Sequence, residues 1–407
     1  MRYSSYLFVA CLVLPGVLAV NFGGLVITPL RAVGIFFFFA FVPKLFKSSA
    51  VLSRVNLIDI LALGHCLWIV VALWGIHGFS KAAESGGMYI LEFLPFYAFG
   101  RIIASNVYWL VNLLKLLLIV MLVSAGLAWI EMITGINVVY KLLGLNYGRL
   151  AETRMGLERA SVYMPHPILY GLFTSMLAAL MIYSLSASKL KTAAVLLFAT
   201  LPSLSSAPLI SMFVQLGATI YDKIFRTFKR RWKVLVSGVL SFVIITSIVT
   251  EGGLSGVIVN YLTFNPATGF YRMAIWEHGS AVVMNHPFFG IGYNDWERPE
   301  WMYSDTVDNF WLLTAMRYGL PALLLLFVAQ LIVVQRFLSK DFGQLTSLKV
   351  GWIISFVGIF IVGSTVHFWA NAFASYAFFL GIGAAVSSYS NNVLSYFNKD
   401  VGHETRR

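Results

Sequence analysis

Charge is scarce in this sequence. Only 11% of its 407 residues are Asp, Glu, Lys or Arg, less than half the ~25% of a soluble domain. A soluble fold of this length cannot hide the 59% that is hydrophobic, because burial levels off near ~75% at about 300 residues. Lipid has to cover the rest. Cysteine is nearly absent: Cys11 and Cys66 both lie in apolar runs. They read as small buried hydrophobes, with neither the number nor the spacing for a disulfide framework or a cysteine metal site. Acidic residues number 17 against 29 basic ones, and no Asp-x-Asp or other metal motif occurs among them. The net charge of +12 would suggest a nucleic-acid partner for a soluble protein. In a membrane chain the placement of the charges matters more than their sum.

Long hydrophobic runs are what the sequence has instead. A spanning helix needs ~20 mostly apolar residues. Runs at 5–20, 23–43, 55–75, 87–104, 109–130, 166–186, 190–204, 206–221, 234–250, 308–334, 348–366 and 369–389 meet or approach that length. Pro202 and Pro208, with Ser203, Ser205 and Ser206 between them, break the stretch 190–221. The first run, after Arg2, looks like a signal peptide but lacks a small-residue cleavage site followed by a polar start, so it reads as a span.

Lys and Arg in short loops set orientation. With the N-terminus inside, the inner loops hold Lys44, Lys47 and Arg54, then Arg101, Lys189 and Lys191. The cluster Lys223–Lys233 follows, then Arg336, Lys340 and Lys349. Lys399, Arg406 and Arg407 close the tail, and Lys81 is the exception in the short outer loops. The expectation is an all-α integral membrane protein of about twelve transmembrane helices, with both termini cytoplasmic. It divides into helices 1–5 (1–130), a first long outer loop (131–165), helices 6–9 (166–250), a second long outer loop (251–307), helices 10–12 (308–390) and a tail (391–407).

The two long loops carry the chemistry-bearing residues. The first holds Arg149, Arg154 and Arg159, then His166-Pro167 at the mouth of a span. In the second, TGFYRMAIWEHGSAVVMN (268–285) reads as a short helix with Thr268 as its N-cap and Arg272 and Trp276 on one face. Asn285-His286-Pro287 ends it, and Gly290 and Gly292 supply a turn of unusual backbone angles. Trp296, Trp301 and Tyr303 fit a headgroup-level aromatic belt. Asp308-Asn309 opens the next span.

Arg272, Trp276, Asn285, Pro287, Gly290 and Gly292 resemble, in order and spacing, the Arg-x-x-x-Trp…Asn-x-Pro-x-x-Gly-x-Gly signature of the O-antigen ligase and polysaccharide polymerase family of bacterial envelopes. Arg159-Ala160-Ser161 with His166-Pro167 is similar to a second family element. There are two departures. Asp308-Asn309 stands where lipid A ligases have His-Asn. Ser205-Ser206-Ala207-Pro208 lacks the arginine of a Ser-Arg-Gly element. The first points away from a lipid A ligase and toward a repeat-unit polymerase.

The resemblance implies a membrane glycosyltransferase architecture of the GT-C-like kind in the cell inner membrane, with no cofactor. The donor it implies is a saccharide on undecaprenyl diphosphate, and the implied product is an exopolysaccharide, capsule or O-antigen. Membrane lipids surround the protein, and a flippase and a chain-length regulator or export complex are the expected protein partners.

Without a metal, cations have to stabilise the departing diphosphate. Arg159 and Arg272 are the candidates, with Arg154 in support and Arg317, two to three turns into span ten, as a further contact. Asp308 is the candidate base or orienting acceptor, and Glu277 the second. Desolvation at a low-dielectric interface raises a carboxylate's pKa, which suits base catalysis, while adjacent arginines act the other way.

Each residue has a plainer reading. Arg272 can anchor the loop helix at headgroups. Arg154 and Arg159 can pair with Glu152 and Glu158. Asp308 can be the N-cap of span ten. His166 can be a structural or headgroup contact, His367 an interface residue, and Trp276 a packing residue rather than a sugar platform. Arg31 can snorkel, and Glu92 can pair with a cation in the bundle. Three functions stay open. They are a polymerase of polyprenyl-diphosphate-linked repeat units, a ligase moving glycan to another acceptor, and a lipid-linked oligosaccharide flippase. The last usually shows matched repeats of broken helices, and only 202–208 is broken here. The shared-site expectation is spatial: Arg159, Arg272 and Asp308 converge in one outward-facing cavity.

Overall fold

The computed structural model describes residues 1–22, 25–46, 55–146, 153–185, 188–249 and 266–389. Lys47, Arg54, Arg149, Glu152, the stretch 251–265 and the tail with Lys399, Arg406 and Arg407 lie outside the described residues. The described residues are overwhelmingly helical, with two short β-hairpins (Val20–Phe22 with Leu25–Ile27, and Thr153–Arg154 with Leu157–Glu158). The helices are α1 (Arg2–Val13), α2 (Pro29–Leu45), α3 (Leu57–Lys81), α4 (Gly87–Ile103), α5 (Val107–Thr134), α6 (Val138–Leu142), α7 (Pro167–Ser175) and α8 (Ala178–Ser184). Then come α9 (Lys189–Thr200), α10 (Ser206–Ile224), α11 (Arg231–Val249), α12 (Pro266–Asn285), α13 (Phe310–Ser339), α14 (Thr346–Gly363) and α15 (Ala370–Val386).

Local chemistry sets several of these boundaries. Asn56 and Asp59 form a reciprocal capping box at the start of α3, each side chain accepting from the other's backbone N–H. Asn106 caps α5, which ends at Gly135 with φ 69°. Thr28 accepts from Arg31 ahead of Pro29 at the start of α2.

Six helical segments among the described residues are long and apolar enough to cross a membrane, so the chain is an all-α membrane protein. The longest, Leu57–Ile103, folds back on itself. Gly78 takes φ 78° and ψ 172°. His65 consequently meets the Tyr89 hydroxyl at 2.8 Å, although a straight helix separates such residues by about 36 Å. A π-helical turn, Ala82–Gly86, leads into α4.

The tightest pairing is α4 with α15, which run parallel. Gly100 and Gly381 let the two backbones touch, since a Cβ at either would strike the other helix's main chain. This is the small-residue packing expected where lipid supplies no hydrophobic drive between helices. Phe8, Phe37, Phe99 and Phe378 interleave beside that seam. At the C-terminal end of α4 Arg101 and Asp59, 1% and 0% exposed, form an ion pair, and the Tyr97 hydroxyl donates to the same carboxylate at 2.6 Å.

Two expectations change. The tenth span, expected as a continuous 308–334, is divided at Gly319, where φ is 81° and ψ 169°. The Trp311 and Phe327 rings lie 5.2 Å apart, whereas sixteen residues of straight helix cover about 24 Å. The short piece 310–318 therefore turns back against the longer 320–339. The loop helix begins at Pro266, two residues before Thr268. The break at 202–208 is a 3-10 turn, Leu201–Ser203, with Leu204 at φ 43° between α9 and α10.

Candidate functional site

The turn at 287–292 explains how the chain tolerates a broken helix. At Gly319 the α13 ladder is interrupted, and three carbonyls lose their helical donors. The Met316 carbonyl accepts from Ile291 N–H at 2.7 Å, and the Arg317 carbonyl from Gly292 N–H at 2.9 Å. The Tyr318 carbonyl accepts from the Trp68 indole at 2.9 Å. In return Leu320 N–H donates to the Pro287 carbonyl at 2.7 Å. Gly290 and Gly292 take φ 71° and 63°. A Cβ on Gly290 would enter the Met316–Arg317 backbone, and one on Gly292 would enter the His77 ring. The Asn-x-Pro-x-x-Gly-x-Gly motif thus acts as a splint across the α13 break.

The break presents Arg317 to a cavity of about 160 Å³ bounded by α2, α4, α13 and the 367–369 connection. The Arg317 guanidinium lies 5.0 Å over the Tyr293 ring, a cation–π arrangement. Arg317 has no carboxylate partner among the described residues. Across the cavity Arg31 and Glu92 pair at 2.7 Å. The cation that Glu92 meets in the bundle is thus Arg31. His367 lines the same cavity, stacked on Trp369 at 6.0 Å and on Phe310 at 6.2 Å. Burial, and secondarily the positive charge of Arg317, push its pKa down to about 3, so it is a neutral imidazole there. Its Nδ1 is buried without a partner among the described residues.

Arg272 and Asp308 meet at the edge of this region. A guanidinium nitrogen of Arg272 lies 3.5 Å from Asp308 Oδ2, the side chains 19% and 45% exposed. The Arg272 Nε is buried and has no partner among the described residues. Ile275, Gly279, Val282 and Val283 continue the buried face of α12, with Gly279 against Leu312 and Met316 of α13. Asp308 is not the N-cap of α13. Asn309 is, its side chain accepting from Leu312 N–H at 2.9 Å while its amide donates to the Ser364 carbonyl at 3.0 Å. Phe310 N–H donates to the Val366 carbonyl. The carboxylate of Asp308 is left free of capping and faces Arg272.

The other expected residues fall elsewhere. Glu277 and Trp276 are exposed on α12. Trp296 is buried inside the second loop, its indole donating to Asp305, while Trp301 and Tyr303 are exposed. Only the last two keep the belt-like exposure expected from sequence. Arg159 is buried at the 201–206 break, donating to Ser205 Oγ at 2.8 Å and to the Ser203 carbonyl at 3.4 Å. Arg154 donates to the Leu204 carbonyl at 2.8 Å. These hydrogen bonds tie Arg154 and Arg159 to residues 203–205 rather than to Arg272, Asp308 or Arg317. His166 caps α7 and sits edge-on to Trp369 at 6.2 Å. His166, Trp369, His367 and Arg317 thereby form a chain from the first loop to the cavity.

Sequence reasoning missed the buried Glu131, which accepts from Ser161 and Val162 N–H groups and fixes the first loop. It also missed Tyr293. A carboxylate inside an apolar run was the available signal for Glu131. No cluster of three or more metal-ligating side chains occurs among the described residues.

The fold and this region together define a multi-pass membrane protein with a cation-bearing site at the end where the two long loops join the bundle. Residues 192–327 match the family model described as O-Antigen ligase, and the match supports the O-antigen ligase and polymerase family. The segment spans about a third of the chain, from α9 through the first part of α13, and contains Arg272, Asp308 and Arg317. No curated protein matches the chain. The family match supports a glycan-assembly function of the polymerase or ligase type.

Proposed function

We propose that the protein polymerises polyprenyl-diphosphate-linked oligosaccharide repeat units at the outer leaflet of a bacterial inner membrane. Its chain would cross that membrane about twelve times with both termini in the cytoplasm. The observation that carries this reading is the Arg272–Asp308 pair, with a buried guanidinium N–H that has no partner among the described residues on one side and an exposed carboxylate on the other. An orphaned buried donor costs free energy until an acceptor fills it, and a diphosphate oxygen is such an acceptor.

In the step proposed, the acceptor hydroxyl oxygen forms a bond to the anomeric carbon of the donor sugar. The bond from that carbon to the phosphate oxygen breaks. The polyprenyl diphosphate leaves with the electron pair, held by Arg272 and Arg317. The hydroxyl proton passes to Asp308. A cation placed where charge develops in the transition state contributes several kcal/mol. Sugar or lipid would approach past Trp369 and His166. A flippase supplying repeat units and a chain-length regulator are the protein partners this chemistry calls for.

The description of the matched family favours a second reading, transfer of finished glycan to another acceptor. Purified protein given lipid-linked repeat units decides between them. A ladder of glycan lengths that is lost in Arg272→Ala and Asp308→Asn supports the polymerase. A single product that requires a distinct acceptor supports the ligase, and no transfer by folded protein overturns both.

A further inference from the structure

At the opposite, basic end of the bundle lies a second cavity, of about 790 Å³, bounded by α8, α9, α10 and the start of α14. That volume is in the ~300–1,000 Å³ range of small-molecule sites. Its walls are apolar, with Ala194, Leu197 and Ile220 among them. Its rim is cationic: Lys189, Lys223, Arg226 and Arg231 all line it. The one carboxylate in the lining, Asp222, is already committed. It accepts from Arg231 Nε at 2.7 Å and from the Tyr183 hydroxyl at 2.8 Å. Lys189, whose ammonium sits 4.2 Å over the Tyr183 ring, has no acidic partner among the described residues, nor do Lys223 and Arg226.

We propose that this cavity is a binding site for one anionic phospholipid, its phosphate held by Lys189, Lys223 and Arg226 and an acyl chain laid along the α9–α10 wall. An apolar wall with uncompensated cations at one end matches a molecule with a hydrocarbon tail and an anionic head, and basic pockets between membrane helices hold such headgroups. A soluble anion would use the rim but not the wall. The proposal is independent of the reaction assigned to the Arg272–Asp308 region.

The test is native mass spectrometry of the full-length, detergent-purified protein, titrated with palmitoyl-oleoyl-phosphatidylglycerol or the phosphatidylcholine of the same chains. Retention of one phosphatidylglycerol about tenfold tighter than phosphatidylcholine is expected. Lys223→Gln with Arg226→Gln should reduce it to the phosphatidylcholine level. Lys229→Gln with Arg230→Gln removes the same charge from the same loop outside the cavity lining, and should leave it within about twofold. Ala194→Phe fills the wall, leaves every charge in place, and should weaken both lipids. It reads the site even where the double cation variant does not fold. Equal loss in the two double variants would mean diffuse surface attraction and overturn the site. So would no preference for phosphatidylglycerol, no effect of Ala194→Phe, or displacement of the lipid by millimolar inorganic phosphate.

Discussion

The backbone N–H of Gly292 donates to the carbonyl oxygen of Arg317 at 2.9 Å. A loop motif is thereby spliced into a broken helix, and the residue whose carbonyl is bound carries its guanidinium into the cavity. This joint is testable. Gly290→Ala requires a side chain at φ 71° directed into the Met316–Arg317 backbone. Positive φ alone costs about 1 kcal/mol for alanine, and the steric conflict adds to it. A lowered Tm in detergent together with a loss of transfer activity is expected. An unchanged Tm would mean the turn is not a splint.

Removing Arg272 should cost about 10²-fold or more in turnover, the usual effect of deleting one transition-state donor. Arg272→Lys restores charge but not the planar fork and should recover only part of it. Asp308→Asn should lose at least ~10-fold more activity than Glu277→Gln, because Asp308 pairs with Arg272 while Glu277 is exposed and makes no ion pair among the described residues. Initial rates on lipid-linked repeats measure all four. Equal losses in the two carboxylate variants would remove Asp308 from its assigned role.

His367 should make stability fall as pH drops. Its pKa in the folded protein is held near 3 by burial and by Arg317, against an ordinary ~6.5. Below ~6.5 the unfolded chain takes up a proton that the folded protein does not, so the unfolded state gains as pH falls toward 3. Between pH 7 and pH 5 the penalty is on the order of 2 kcal/mol. His367→Phe removes the titrating group and should flatten this part of the Tm-versus-pH curve. Identical curves for the two proteins would show that His367 does not titrate in this way.

The Arg101–Asp59 pair should behave as a structural element. Asp59→Asn leaves the Arg101 charge buried and uncompensated, at a cost of about 3–5 kcal/mol. Replacing both, Asp59→Leu with Arg101→Met, should cost less than the single change, since it strands no charge. Chemical unfolding of the three proteins provides the comparison. A double variant less stable than Asp59→Asn would assign the pair a further task.

The amino-acid sequence by itself determined that this chain is helical and embedded in lipid. Too little charge and too many long apolar runs leave no other way to cover its surface. It also determined which loop residues share one segment, because Arg272 and the Asn-x-Pro-x-x-Gly-x-Gly spacing are local in sequence. Gly290 and Gly292 were legible as turn residues, since positive φ is a property of one residue.

What they turn against was not legible. The Gly319 break is invisible to a hydropathy window, which sums composition and is blind to direction, so 308–334 reads as one span. Its cause lies in donors twenty-five or more residues away. The pairing of Arg31 with Glu92, of Arg101 with Asp59, and of Arg272 with Asp308 likewise required three dimensions. A charge in an apolar run announces that a partner exists. Which of several candidates it is depends on helix packing angles and on glycines that bring two backbones together. The assignment of Asn309 rather than Asp308 as the cap was decided the same way. Both residue types can cap a helix, and only the tertiary hold on Asn309, through Ser364, fixes which does.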